Sequence, residues 1–286
     1  RNTMNYDGLI GGIKEIYAKS GIEFRATVTE EDKILLVFLA GYRPFDYPSD
    51  CYRIDSYYEI SNKTYRAEKE IIKLLRKNGI SADFYRGKNL RSVAERARLG
   101  KRAFSGFLYC DAYGTYCFIG CAEITGLTSD EELSNALRTL DRTPEITRSC
   151  DGCRACQAAC PTKAVPDKKE FCLRNVQENA RKGLSEELKL CAEKLGDRLL
   201  GCGACQESCP LNIGIKSRPL PENLYNLLKK ENFRKAIENN DLKELKEIIG
   251  TNYGRKSVLA PVLGLIENND EPKEHNESAT DGENEK

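Results

Sequence analysis

Two cysteine runs limit what this chain can fold into more than any other feature. The first is Cys150-Asp-Gly-Cys153-Arg-Ala-Cys156-Gln-Ala-Ala-Cys160-Pro161; the second is Cys202-Gly-Ala-Cys205-Gln-Glu-Ser-Cys209-Pro210. The first has the full C-x2-C-x2-C-x3-C-P spacing and the second its last three cysteines and the proline. Three thiolates this close wrap one [4Fe–4S] cube, while the cysteine before proline turns away to a second cube. A triple run of this kind suits a single tetrahedral zinc poorly, since structural zinc sites use paired knuckles. A disulfide framework belongs to small secreted domains, and this chain of 286 residues starts without an apolar signal segment.

The crossing rule of two-cluster ferredoxins assigns seven ligands. Cluster one takes Cys150, Cys153 and Cys156, with Cys209 from the second run. Cluster two takes Cys202 and Cys205, with Cys160 from the first run, and then lacks a fourth ligand. Cys172 and Cys191 lie between the runs, and spacing alone leaves both open.

Thirteen cysteines without a leader imply metal binding in a reducing, cytoplasmic compartment. Oxygen-sensitive cubes further suggest an anaerobe. Net charge is +1, which argues against nucleic acid as a partner. No apolar run approaches the roughly 20 residues that span a bilayer. The only histidine, His275, lies in a polar tail, so histidine acid–base chemistry and histidine ligation are not expected.

Residues 1–4 read as a remnant ahead of the native start. Tyr6, Leu9, Ile10, Ile13, Ile16 and Tyr17 recur at helical spacing, and Gly21 is the expected cap. A strand over 22–29 follows. The apolar run 33–41 predicts a strand buried on both faces. Residues 42–48 form a loop, and the stripe Ala67, Ile71, Leu74, Leu75 predicts a helix over 65–78. A strand at 81–85 and a helix at 90–98 come next, and 106–111 with 115–123 read as a hairpin around Tyr113-Gly114. A further helix is expected over 185–194. The sequence therefore divides into an α/β layer for cofactor or substrate (5–148), a double-cluster domain (149–215), short paired helices resembling a repeat (216–266) and a disordered acidic tail (267–286).

The upstream stretches Gly41-Tyr-Arg-Pro44, Ala94-Glu-Arg-Ala-Arg-Leu-Gly100, Gly106-Phe-Leu-Tyr-Cys-Asp-Ala-Tyr113-Gly114 and Ile119-Gly-Cys-Ala-Glu123-Ile precede the cysteine runs in order. Together they resemble the epoxyqueuosine reductase family, which shares its core with reductive dehalogenases. The resemblance spans about residues 30–255. It implies an α+β/α/β fold: a nitroreductase-like N-terminal layer, a bacterial-ferredoxin-like double [4Fe–4S] insert and a short C-terminal helical repeat. It also places the eighth ligand just after the first run, where Phe171-Cys172-Leu-Arg stands, and so favours Cys172 over Cys191.

By this resemblance the protein is an iron–sulfur oxidoreductase. Electrons from a reduced ferredoxin- or flavodoxin-type donor pass through two cubes to a bound cofactor, a corrinoid (cobalamin) in the family, or to a small-molecule substrate. Tyr113 and Gly114 stand where such a cofactor is contacted. The family's Asp-Tyr-His stretch is absent, and the surroundings of Asp83 do not match its acidic proton donor. A diverged paralogue is therefore expected, with Tyr85, Tyr109 or Tyr113 as substitute donors. The alternative is a non-catalytic electron-transfer module serving a partner enzyme. Cys51, Cys110, Cys117 and Cys121 fall outside the cluster pattern and read as small buried hydrophobes, with a thiol role for Cys110 the lesser alternative.

Overall fold

A computed structural model describes residues 6–30, 32–126, 131–183 and 185–270. The N-terminal layer runs α1 (Asp7–Ser20), β1 (Phe24–Glu30), β2 (Lys33–Gly41), the short β3 (Phe45–Asp46) and β4 (Arg53–Ile54), α2 (Tyr57–Lys77), β5 (Ala82–Phe84), α3 (Leu90–Arg96), the short β6 (Lys101–Arg102) and β7 (Leu108–Tyr109), β8 (Cys117–Thr125) and α4 (Glu131–Arg138). The main sheet has the order β1-β2-β8-β5, and every neighbouring pair in it is antiparallel. Alternating helices and strands here do not build parallel crossovers.

The apolar run of β2 explains the layering. Ile34, Leu36, Phe38 and Ala40 face one core with Ile13, Ile71, Leu75 and Leu137 from α1, α2 and α4. Leu35, Val37 and Leu39 face the other with Val93, Ala94, Leu99, Cys110, Cys117 and Cys121. Alternate side chains point to opposite faces, so a strand covered on both sides has no polar face to spare. Each fully buried Leu or Ile contributes about 1.5–3 kcal/mol.

Three expectations are corrected. The helix expected over 65–78 starts at Tyr57, eight residues earlier. Its first two turns carry aromatic, polar and β-branched residues with weak helix propensity, but Tyr58, Ile60 and Thr64 are buried, so tertiary packing decides. The Tyr57 N–H is received by Asp55 Oδ1 at 2.9 Å. The hairpin does not form as drawn: β7 pairs with β6, and β8 is taken up along nine residues by β2. Only a bridge between Cys110 and Gly114 closes the turn. The tail expected from Glu267 instead continues the last helix, Lys256–Asp270, to its end; residues 1–4 and the rest of the tail lie outside the described residues. The helix α1 ends as expected, with Gly21 at φ +67°, a left-handed cap that glycine enters without penalty.

The cysteine region carries α5 (Ala155–Ala159), α6 (Leu173–Glu178), α7 (Glu186–Leu190), β9 (Arg198–Leu200) and α8 (Ala204–Glu207). Ser185 caps α7 by accepting the Leu188 N–H at 3.1 Å. A short strand, β10 (Arg218–Pro219), precedes α9 (Glu222–Leu228), α10 (Lys230–Glu238), α11 (Lys243–Ile249) and α12 (Lys256–Asp270). These last helices share one core with Leu173, Val176, Leu188, Cys191, Leu195 and Leu199, and with Tyr52, Ile54 and Tyr58. They therefore brace the segment between the cysteine runs. No helix among the described residues is long and apolar enough to cross a membrane.

Candidate metal centre

The thiols fall into two groups that each include cysteines from both runs. Burial raises Cys156, and the negative charges of Cys150 and Cys153 raise it further. Burial likewise raises Cys209, with charge from Cys150, Cys156 and Cys153. In the other group burial raises Cys202, and Cys172 and Cys160 add to it. Cys205 is pushed up to about 12 by burial and by Cys202, Cys172, Cys156 and Cys160. Four apposed thiolates repel one another, so each group is costly to ionise unless a cation or cluster takes up the charge. Cys156 also acts on Cys205, which sets the two groups side by side; α5 packs on α8 there.

Cys191 lies beside the second group. It is buried in the helical core, and its thiol feels Cys160 and Cys172. Cys172, together with Cys160, is among the thiols whose charge acts on Cys202 and Cys205. Among the described residues, no three His, Cys, Asp or Glu side chains are arranged to hold a single metal ion.

Backbone donors complete the fit to clusters. The Phe104 N–H donates to Cys150 Sγ at 3.3 Å and the Ala164 N–H to Cys160 Sγ at 3.1 Å. Burial pushes Cys160 up, but N–H groups of Val165, Thr162 and Ala164 outweigh it and bring the thiol below its ordinary value. Such donors stabilise bound thiolates and tune cluster potential.

A buried polar network ties the second run to the sheet. Gln206 Nε2 donates to the Thr115 carbonyl at 2.7 Å and lies 3.0 Å from Tyr42 Oη. Asn212 Oδ1 accepts from the Thr115 N–H at 2.7 Å, and Asn212 Nδ2 donates to the Gln206 carbonyl at 2.6 Å. The pattern had no signal in sequence, because Gln and Asn beside cysteines look like loop residues.

Two cavities border this region. One, of about 30 Å³, touches Asp55, Ser56, Tyr116, Gly201 and Cys202 and has room for a water. The other is a cleft of about 680 Å³ that includes Tyr42, Arg43, Lys63, Tyr113, Lys216 and Arg218 in its lining. Tyr113 thus borders a cleft as expected of a binding residue. Gly114 does not: an added Cβ would meet Asn212 Oδ1 at 2.1 Å and the Leu211 carbonyl at 2.6 Å. The protein itself fills that space. The cavity that touches Cys202 is water-sized and has no room for a corrin ring.

The tyrosines considered as proton donors are mostly engaged. Tyr109 donates to the Arg148 carbonyl at 3.3 Å and Tyr113 to Glu23 at 3.4 Å. Lys33 lies over the ring of Tyr85 at 5.5 Å. Asp83 is ion-paired with Arg76 at 3.6 Å and Arg86 at 3.4 Å. Sequence reading passed over Tyr57, whose ring carries the Arg174 guanidinium at 3.5 Å, two residues beyond Cys172. Cys51, Cys110, Cys117 and Cys121 are buried, and burial raises all four thiols, as inert packing cysteines require.

Residues 149–212 match the 4Fe-4S double cluster binding domain. An epoxyqueuosine reductase of Bacillus subtilis (strain 168) is 30% identical over 180 residues, which are 59% of this chain and 42% of that protein. One from Francisella cf. novicida (strain Fx1) is 32% identical over 126 residues, 43% of this chain and 32% of that protein. Over these stretches the chain is similar to the epoxyqueuosine reductases. The matched stretches span well under half the length of these curated relatives.

The fold follows the same line. The Streptococcus thermophilus epoxyqueuosine reductase structure superposes with a TM-score of 0.60 at 19% identity, covering 93% of this chain and 82% of that one. A structure of an epoxyqueuosine reductase with an epoxyqueuosine-modified tRNA-Tyr stem loop gives 0.59 at 20% identity, covering 92% and 81%. That structure contains an RNA stem loop.

Proposed function

We propose that the chain is an iron–sulfur reductase. Cys150, Cys153, Cys156 and Cys209 hold one [4Fe–4S] cluster, and Cys160, Cys172, Cys202 and Cys205 hold the other. The observation that carries this reading is the pair of thiol groups, each drawn from both runs, with Cys172 acting on Cys202 and Cys205. Bound cubes of this type supply one-electron transfer.

The chain's own residues give the pair a direction. Asp151 and Gly152 in the first loop are exposed, whereas Gly201 and Gln206 in the second run are buried. The first loop is therefore the docking face for a reduced ferredoxin- or flavodoxin-type donor, in a reducing cytoplasm. The N–H groups of Phe104 and Ala164 withdraw charge from Cys150 and Cys160 and favour the reduced state. Gln206 and Asn212 hold the second run against β8, which fixes the spacing between the clusters and the α/β layer.

The RNA stem loop held by a relative makes RNA a candidate carrier of the substrate. The epoxide of epoxyqueuosine is not the expected target, because the family's Asp-Tyr-His stretch is absent and Asp83 is engaged in ion pairs with Arg76 and Arg86. A second reading, an electron-transfer module for a partner enzyme, is favoured by the water-sized space against Cys202.

Anaerobic reconstitution with iron and sulfide, followed by dithionite reduction and EPR, tests the proposal. Two reducible [4Fe–4S] signals and turnover of an added substrate support a reductase. Two signals with electron delivery only to a redox protein support the second reading. No cluster signal contradicts both.

A further inference from the structure

Charge is distributed unevenly over this nearly neutral molecule. The 680 Å³ cleft is lined by Arg43, Lys63, Lys216 and Arg218, against one carboxylate, Glu59. Glu59 is already ion-paired with Arg218, whose guanidinium also lies 4.2 Å from the Phe45 ring centroid. Arg43, Lys63 and Lys216 have no ion pair among the described residues. Glu23, which accepts from Tyr113 of the cleft lining, is paired with Arg142 at 2.8 Å. The cleft therefore carries an excess of about three positive charges in a protein whose total is +1.

We infer that this cleft is a binding site for a phosphate-bearing ligand. Concave cationic surfaces focus potential and gather anions, and guanidinium forks match phosphate oxygens. Arg43 and Lys216 are exposed and free to turn toward an anion. Lys63 Nζ sits near Gly21, at the C-terminal end of α1, and adds field there. Tyr113 and Ile215 give the cleft an apolar side, and its volume falls in the 300–1,000 Å³ typical of small-ligand sites. The phosphate belongs to a free nucleotide-like phosphoester or to one turn of an RNA backbone; both present the same chemistry to these side chains. The inference does not depend on the redox reading, because none of these residues is a candidate cluster ligand.

Calorimetric titration of the reconstituted full chain at low salt tests it, with pyrophosphate and an unmodified RNA stem loop as separate probes. Variants Arg43→Glu and Lys216→Glu, alone and combined, are compared with Lys69→Glu/Lys73→Glu. That control carries the same change of charge on exposed positions of α2 outside the cleft lining. Circular dichroism and iron content verify that each variant keeps its fold. The inference predicts binding of at least one probe, weakened at least tenfold in Arg43→Glu/Lys216→Glu and far less in the control. Pyrophosphate binding without RNA binding assigns the site to a small phosphoester. RNA binding, with its salt slope lowered by roughly 1.4 for two lost phosphate contacts, assigns it to a backbone. No binding of either probe, or equal loss in the cleft and control variants, overturns it.

Discussion

Gln206, the residue after Cys205, donates its side-chain amide to the Thr115 carbonyl at 2.7 Å, inside the protein. Thr115 precedes β8, the strand that β2 and β5 share. A single buried amide thus links the second cysteine run to the central sheet. Gln206→Leu leaves the Thr115 carbonyl and the Tyr42 hydroxyl without this partner. Unsatisfied buried groups cost about 1–3 kcal/mol each, and networks fail together. Urea unfolding of reconstituted protein should show a loss of about 2–4 kcal/mol, with an altered EPR signal for the cluster beside Cys205. An unchanged midpoint and spectrum would show that the network does not position that run.

Cys172 and Cys191 separate the two ways of completing cluster two. Cys172→Ser should remove or alter that cluster and lower the iron content. Cys191→Ser, in the helical core, should retain full iron and lose only modest stability, since one small buried group is exchanged. Iron analysis of both variants, prepared side by side, decides between them. Equal iron in the two would sink the choice of Cys172.

Gly114 should prove structural. It sits at φ +52°, and a methyl group there would press on Asn212 and Leu211. Gly114→Ala is expected to cost about 2–4 kcal/mol, combining left-handed strain with overpacking. Thermal unfolding measures it. Full stability with weakened ligand binding would instead restore Gly114 as a binding residue.

The cysteine pattern was legible because cluster ligation demands fixed spacings, and the double-cluster domain falls where the two runs stand. The run 33–41 was legible because two-sided burial leaves no polar alternation. The start of α2 at Tyr57 was not, since Tyr58, Ile60 and Thr64 are placed by contacts with distant segments. Nor was the partner of β8: local spacing suggested a hairpin with 106–111, whereas a nine-residue match to β2 prevails. The basic cleft draws on residues 43, 63 and 216, which only the fold brings together.

Glu68 gives a pH-dependent test of the layer itself. Its carboxylate accepts the Cys121 N–H at 3.3 Å, and burial raises its pKa from 4.5 to about 7. A carboxyl with a folded pKa above its unfolded one is penalised for ionising in the folded state. The penalty is absent below the unfolded value, grows as pH rises between the two, and is complete above the folded value. Glu68→Gln keeps an acceptor for Cys121 and removes the charge. The variant should gain about 1–3 kcal/mol over the parent at pH 8.5, and much less at pH 5.5, by urea unfolding. A constant difference between the two pH values would contradict the burial of this charge.

Iron and sulfide analysis with EPR on anaerobically reconstituted full chain tests the central claim most directly. Two cubes predict about eight irons and eight sulfides per chain, with two [4Fe–4S]⁺ signals after reduction. About four irons, or tetrahedral zinc in place of iron, would contradict it.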